Sequence, residues 1–269
     1  MICSICSKPL IGNYLVDIWD NKMCEVHFNK DAVHCDSCTA FTRKEHLLPD
    51  GRVLCKSCFD IAVKSGDSIE KIKTFVIKSL YQVGFSDLRI DDICSIEIVT
   101  AQRLAEFRKE QIDVQTKGFT YSTVITSTSF GVFGIKNTTQ EFKHNIYILT
   151  HLTKTEFAGT LAHELLHAWL FQNGIKMSSK MTEGFCNMGT YLMYSSMPDE
   201  FSKMYLKSLH EDTDTIYGDG FREMFEDFER LGWKKLIEKV RNKGIVAKYT
   251  AKNKYSNVQK VIKFVKTVF

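Results

Sequence analysis

No apolar run in this chain approaches the ~20 residues that a membrane-crossing helix needs, which excludes an α-helical membrane protein. No secretion signal is visible, because Cys3 and Cys6 already belong to a motif. Internal repeats and low-complexity stretches are missing as well. Acidic residues are missing from Arg241 to Phe269, where eight basic ones stand: Arg241, Lys243, Lys248, Lys252, Lys254, Lys260, Lys263 and Lys266. The net charge of +4 less these eight leaves −4 for residues 1–240. The main body is therefore not a nucleic-acid binder by charge, and the basic end, about 245–269, reads as solvated. Its apolar residues (Val258, Val261, Ile262, Phe264, Val265, Phe269) are also compatible with a basic amphipathic helix packed on the body rather than on a membrane. A disulfide framework is not expected. The nine cysteines fall mostly in C-x2-C pairs, which in a chain without a secretion signal bind metal. The expected setting is reducing and cytoplasmic.

What is present is enough for one good-sized domain plus something small: 269 residues, 44% of them hydrophobic. The small part is residues 1–60. Its ligand-type residues run Cys3-x2-Cys6, Cys24-x2-His27, Cys35-x2-Cys38 and Cys55-x2-Cys58, eight donors for two tetrahedral zinc sites. If neighbouring pairs combine, one site has three cysteines and a histidine and the other has four cysteines, a LIM-like module. If alternate pairs combine, the module is a RING-like cross-brace. Long, short and long gaps between the pairs suit the first arrangement. Asp50-Gly51 marks a hairpin turn just before Cys55. Such closed sites rarely catalyse; they fold the segment on binding metal and leave it to hold a partner or to dock on the next domain. His34 and His46 are spare and read as structural.

Residues 61–269 read as α+β with an antiparallel or mixed sheet. Helix is expected over 61–85, strand over 87–99 with Cys94 in the core, and a short helix over 100–111. Strands follow at about 119–127, 129–135 and 144–150, punctuated by Gly131 and Gly134. A helix starts at Thr153, which is spaced with Glu156 as a capping box, and stops at Gly174. A second helix, 180–194, is capped by Ser178 or Ser179, and others follow over 200–212 and 222–243.

The helix before Gly174 contains Leu161-Ala162-His163-Glu164-Leu165-Leu166-His167-Ala168-Trp169. Within it, H-E-x-x-H puts His163 and His167 one above the other on one face. Two imidazoles at that spacing bind one metal ion, and Glu164 beside them can take a proton from water. The helix is apolar almost all round, so these polar groups need partners. A catalytic zinc wants a third protein ligand and an open position. Glu183, in the first turn of the next helix, can supply the third ligand, because a short connection through Gly174 makes the two helices antiparallel neighbours. Cys186 shares the Glu183 face and reads as core. Tyr217-Gly218-Asp219-Gly220-Phe221-Arg222 reads as a glycine-rich loop where something approaches closely. From that loop Tyr217 or Arg222 could donate to an oxyanion. An extended substrate is expected along an edge strand near 144–150.

These motifs, in this order, resemble the plant LIM-containing, ubiquitin-activated growth-regulating metallopeptidases and their bacterial relatives. The residues that carry the likeness are Cys24-x2-His27 with a longer gap to Cys35, Asp50-Gly51-Arg52 before Cys55, LAHELLHAW, EGFC and YGDGFR; it spans about residues 1–245. The resemblance implies structural zinc on Cys3, Cys6, Cys24 and His27, and on Cys35, Cys38, Cys55 and Cys58. It also implies a catalytic zinc on His163, His167 and Glu183, with Glu164 as base, in a gluzincin-type peptidase domain. Protein or peptide is then the substrate, and ubiquitin or another protein the regulator. The ubiquitin-interacting helices and the further LIM domain of the plant proteins have no counterpart in these residues, which argues against ubiquitin here. The reading is a zinc endopeptidase with three zinc ions, one catalytic and two structural. Its rival is a non-catalytic zinc-module protein carrying a relic peptidase domain, against which the intact His163, Glu164, His167 and Glu183 speak.

Overall fold

The computed structural model describes residues 1–28, 30–64, 66–130, 136–243, 245–246 and 261–263. The expected glycine break at Gly131 and Gly134, and most of the basic end, lie outside the described residues. No helix among those described is long and apolar enough to cross a membrane.

The chain begins with three small antiparallel hairpins: β1 (Tyr14–Val16) with β2 (Lys22–Cys24), β3 (Val33–His34) with β4 (Phe41–Thr42), and β5 (His46–Leu47) with β6 (Val53–Leu54). Gly51, at φ +90°, makes the tight turn between β5 and β6. Asp17 ties the first two hairpins together, since its carboxylate accepts from the backbone N–H of Trp19, Asn21 and Phe41. A short helix α1 (Lys56–Ile61) follows, and then α2 (Gly66–Val83), the single helix expected over 61–85.

The main sheet has four strands in the order β12-β8-β9-β7. These are β7 (Ile93–Val99), β8 (Gly118–Phe130), β9 (Lys136–Leu149) and β12 (Val261–Lys263), with α3 (Ala101–Arg108) between β7 and β8. β8 and β9 form a long antiparallel pair from Gly118↔Ile148 to Phe130↔Lys136, whereas β7 runs parallel to β9. The sheet is thus mixed. β9 is bonded on both sides, so the expected edge strand at 144–150 is an interior strand. A strand paired on both sides has no free N–H or C=O row to offer a substrate. One open row lies on β8: β12 pairs only with Val124–Thr126, which leaves Gly118–Thr123 without a neighbour on that side among the described residues. Residues 261–263 are a strand, where an amphipathic helix was an expectation. Cys94, expected in the core, is exposed.

Under the sheet runs α4 (Lys154–Gln172), followed by β10 (Ile175–Lys176), α5 (Ser179–Ser196), α6 (Glu200–Glu211), α7 (Tyr217–Lys243) and β11 (Ile245–Val246), which pairs with β10. Thr153 caps α4 by accepting from the N–H of Glu156, and Gly174 at φ +63° turns the chain after it. The capping box is half made, because the Glu156 carboxylate turns elsewhere. Phe157, Leu161, Leu166 and Trp169 are fully buried, with Phe85 edge-on to Trp169 at 5.1 Å. Each such side chain contributes roughly 1.5–3 kcal/mol of burial. Between Leu161 and Leu170 His163 and His167 are partly exposed and the rest are buried.

The expected loop at 217–222 is instead the first turn of α7, which breaks at Gly232 (φ 71°, ψ 170°). The glycines do mark a close approach, between α7 and α5. A Cβ on Gly220 would lie 2.3 Å from the Lys180 carbonyl oxygen, and one on Gly184 would lie 2.2 Å from that of Gly220. Backbone meets backbone there, so no side chain fits at either position.

Candidate metal centres and cleft

Two four-ligand clusters form in the amino-terminal segment: Cys3, Cys6, Cys24 and His27, and Cys35, Cys38, Cys55 and Cys58, with donor atoms in each within 4.8 Å of one another. Neighbouring pairs combine, which is the LIM-like grouping and excludes the cross-brace. Cys38 Sγ and Cys55 Sγ stand 3.7 Å apart. A disulfide needs ~2.05 Å. Two thiolates on one tetrahedral zinc, at ~2.3 Å each, stand about 3.8 Å apart, so the spacing fits the ion. Backbone N–H groups point at the sulfurs, from Ile5 and Cys24 to Cys3, from Cys55 to Cys35 and from Cys58 to Cys55. Burial pushes the Cys3 thiol up, but the N–H groups of Cys24, Cys6 and Ile5 outweigh it and bring the thiol down to about 6. His27 Nδ1 lies 2.8 Å from Asp31 Oδ1, which fixes its ring. The spare histidines are structural: His34 bonds the Thr39 carbonyl and His46 stacks on Phe59 at 4.2 Å.

On α4 and α5 a third set of donors meets. His163 Nε2 lies 3.1 Å from His167 Nε2 and 3.1 Å from Glu183 Oε2, and His167 Nε2 lies 3.6 Å from the same oxygen. Ligands at about 2.0–2.1 Å on a tetrahedral zinc stand about 3.3 Å apart. The three atoms are therefore spaced as one face of such a tetrahedron, and the histidine side of that face opens to solvent. Asn187, one turn after Glu183, sets the tautomer. Its Nδ2 donates to the Tyr217 carbonyl, so its Oδ1 faces His163 Nδ1 at 3.0 Å and accepts from it. The lone pair of His163 is then on Nε2, toward Glu183. Burial raises the Glu183 carboxyl, but hydrogen bonds with His163 and His167 outweigh this and hold it well below the usual carboxylate range. Burial likewise lowers His163, and Glu183 more than reverses that. Cys186 is fully buried beside the pair of histidines, grouped with them by distance.

Glu164 is 5% exposed and sits against β8. The Thr120 hydroxyl donates to Glu164 Oε2 at 2.7 Å. Gly118 lets the strand come this close: a Cβ there would lie 2.5 Å from Glu164 Oε1 and 2.8 Å from Thr160 Cγ2. Sequence reasoning missed Thr120, Gly118 and Asn187. Only Asn187 had a local signal, its i+4 spacing from Glu183.

These groups line a cleft of about 630 Å³ whose wall includes Lys117–Thr120, Asn187, Tyr194 and Tyr217. The Tyr217 phenol is pushed up to about 12, by burial first and then by the charge of Glu183, so it remains a donor. Arg222 is held away from the cleft lining. Its guanidinium donates to the carbonyls of His210 and Asp212 and to Asp219, and so braces the start of α7. That corrects its assignment as an oxyanion donor.

No family model and no solved structure matches the chain. It is 22% identical over 285 residues to LIM domain-containing protein HDR3 of Oryza sativa subsp. japonica, a match that covers 84% of this chain and 56% of that protein. It is 26% identical over 219 residues to Protein DA1-related 6 of Arabidopsis thaliana, covering 72% and 34%. With Protein DA1 of Arabidopsis thaliana it shares 24% identity over 304 residues, covering 90% of this chain and 56% of that protein, so the chain spans about half the length of the curated relatives it matches.

Proposed function

We propose that the chain is a cytoplasmic zinc endopeptidase acting on protein or peptide substrates, with residues 1–60 as a LIM-like two-zinc module and 61–269 as a gluzincin-type peptidase domain. The observation that carries this reading is the tetrahedral face of His163, His167 and Glu183, open to a cleft with Glu164 beside it. His163, His167 and Glu183 would hold the zinc, which would supply Lewis acidity toward water, lowering its pKa to about 7, and toward the scissile carbonyl. Glu164 accepts the proton of the attacking water and returns it to the leaving amine. Thr120 holds the Glu164 carboxylate in place by its 2.7 Å hydrogen bond. Tyr217, protonated and on the cleft wall, donates to the oxyanion. Substrate backbone adds as a strand to the open row at Gly118–Thr123, beside Glu164.

The binding-protein reading is favoured by a different observation. The amino-terminal segment exposes large apolar side chains, Ile11 at 89%, Val26 at 73% and Ile18 at 62%. The two readings are compatible unless the cleft is inert. Incubation of the zinc-loaded chain with a peptide library decides. Cleavage that stops with chelation of the third metal supports the endopeptidase. No cleavage at three zinc per chain leaves the binding module.

A further inference from the structure

The knuckle between Cys35 and Cys38 is tied to the cleft wall by a buried polar chain. Ser37 Oγ lies 2.9 Å from Tyr205 Oη, both groups buried. Tyr205 comes from α6. Its Oη also lies 3.2 Å from Thr153 Oγ1, the cap of α4, and donates to Glu156 Oε2 at 3.3 Å. Glu156 is 2% exposed, and its other oxygen meets Lys117 Nζ at 2.5 Å. Lys117 lines the cleft and directly precedes Gly118, the residue pressed against Glu164. The same knuckle is held a second time, for Trp19 Nε1 donates to the Cys38 carbonyl at 2.6 Å and its ring packs edge-on against Phe201 of α6 at 6.0 Å.

A carboxylate this deeply buried needs its partners, and they come from two separate parts of the chain, Tyr205 of α6 and Lys117. The stacking of Tyr205 on Tyr194, at 5.2 Å and 27°, would hold the ring without any hydroxyl. The hydroxyl instead joins Ser37, Thr153 and Glu156 at one point. We propose that the four-cysteine site is a fixed part of the cleft, and that Tyr205 and Glu156 are positioning residues through which it holds Lys117–Gly118 against Glu164. The amino-terminal segment is then more than a grip for a partner. Whatever loosens its second metal site also displaces the general base. This rests on the endopeptidase reading for its effect on rate, but not for its effect on structure.

The test uses the full zinc-loaded chain and the variants Tyr205→Phe, Ser37→Ala and the double variant. Two quantities are read: hydrogen exchange of peptides over 117–123 and 153–160, and kcat and KM on a cleaved peptide. Tyr205→Phe keeps the ring and its stacking, so the fold is expected to hold. Exchange should rise in 117–123 and 153–160 while that of 66–83 stays put. For cleavage, kcat should fall about 10-fold or more with KM little changed, since misplacing a catalytic group by ~1 Å can cost ~10²-fold. Ser37→Ala should do the same in the same places, and the double variant should be no worse than the worse single one, because all act through one chain of contacts. Unchanged exchange at 117–123, or effects of the two substitutions that multiply, would overturn the proposal. A uniform rise in exchange across all peptides would also overturn it, as mere destabilisation. Should the wild-type chain cleave nothing, the endopeptidase reading fails by itself, and exchange alone still decides the coupling.

Discussion

Glu164→Gln separates the base from the ligands. The two side chains have nearly the same shape, and the site is buried, so fit matters. Glu164 accepts from Thr120 Oγ1 through Oε2, and a glutamine whose oxygen occupies that position keeps the bond. Its amide nitrogen then stands where Oε1 did, near Gly118. Fold and metal should survive, since Glu164 is not among the three donors that converge. What is lost is the proton acceptor. Loss of a general base costs about 10²–10⁴-fold, or roughly 3–5 kcal/mol on the barrier. Glu183→Gln differs: it weakens one corner of the donor triangle and leaves His163 and His167 without the charge that now organises them. Zinc affinity should fall by more than the ~10–100-fold typical of an outer-shell partner. Metal analysis after dialysis against a mild chelator is the assay, with cleavage rate measured alongside. Three zinc and almost no activity are expected for Glu164→Gln, against two zinc for Glu183→Gln. Equal zinc loss in both would show the roles misassigned, and full activity in Glu164→Gln would refute the mechanism.

Asn187→Ala should lower third-site zinc affinity about 10–100-fold, because His163 loses the acceptor that fixes its tautomer; competition with a chromophoric chelator reads this, and unchanged affinity would count against the role. Gly118→Ala puts a methyl 2.5 Å from Glu164 Oε1, so it should cost about 1–3 kcal/mol of stability and depress kcat, both measurable on one preparation. His144 is buried, bonded to Ser122 through Nδ1 and without a partner at Nε2 among the described residues, and burial, helped by Arg89, lowers it to about 4 from 6.5. Between those values the unfolded chain binds the extra proton, so its contribution is full above pH 6.5 and is lost as pH falls toward 4, up to about 3 kcal/mol; a His144→Gln variant with the same acid slope in denaturant titrations would disprove this. Cys55→Ser opens the four-cysteine site and should remove one zinc and lower thermal stability; retention of both would contradict the assignment.

The sequence made His163, Glu164 and His167 legible because their relation lies within one turn of one helix. Glu183 was legible almost as easily, since a short turn at Gly174 brings the next helix back. Thr120 was not, because its contact with Glu164 crosses 44 residues and depends on strand order. Strand order also explains the misplaced substrate edge. Apolar alternation identifies β9 as a strand, yet nothing in it reveals that β7 and β8 cover both its sides. In the 217–222 motif the glycines correctly marked close approach. That what approaches is the backbone of α5 is a packing fact, and it turned an expected loop into a helix start. Glu156 shows a local rule overridden: its spacing promised a capping box, while Lys117 and the Tyr205 hydroxyl claimed the carboxylate.

The Ser37–Tyr205 hydrogen bond joins residues 168 positions apart. During synthesis at about 5–20 residues per second, Tyr205 emerges roughly 8–34 seconds after Ser37. The last of the eight amino-terminal ligands, Cys58, follows Ser37 by 21 residues and so emerges about 1–4 seconds into that interval, which leaves the set free to capture metal before the helix they brace exists. Order of appearance thus favours metal capture first and cleft closure last. A nascent chain that has captured no metal would reach Tyr205 with no ordered knuckle to receive it.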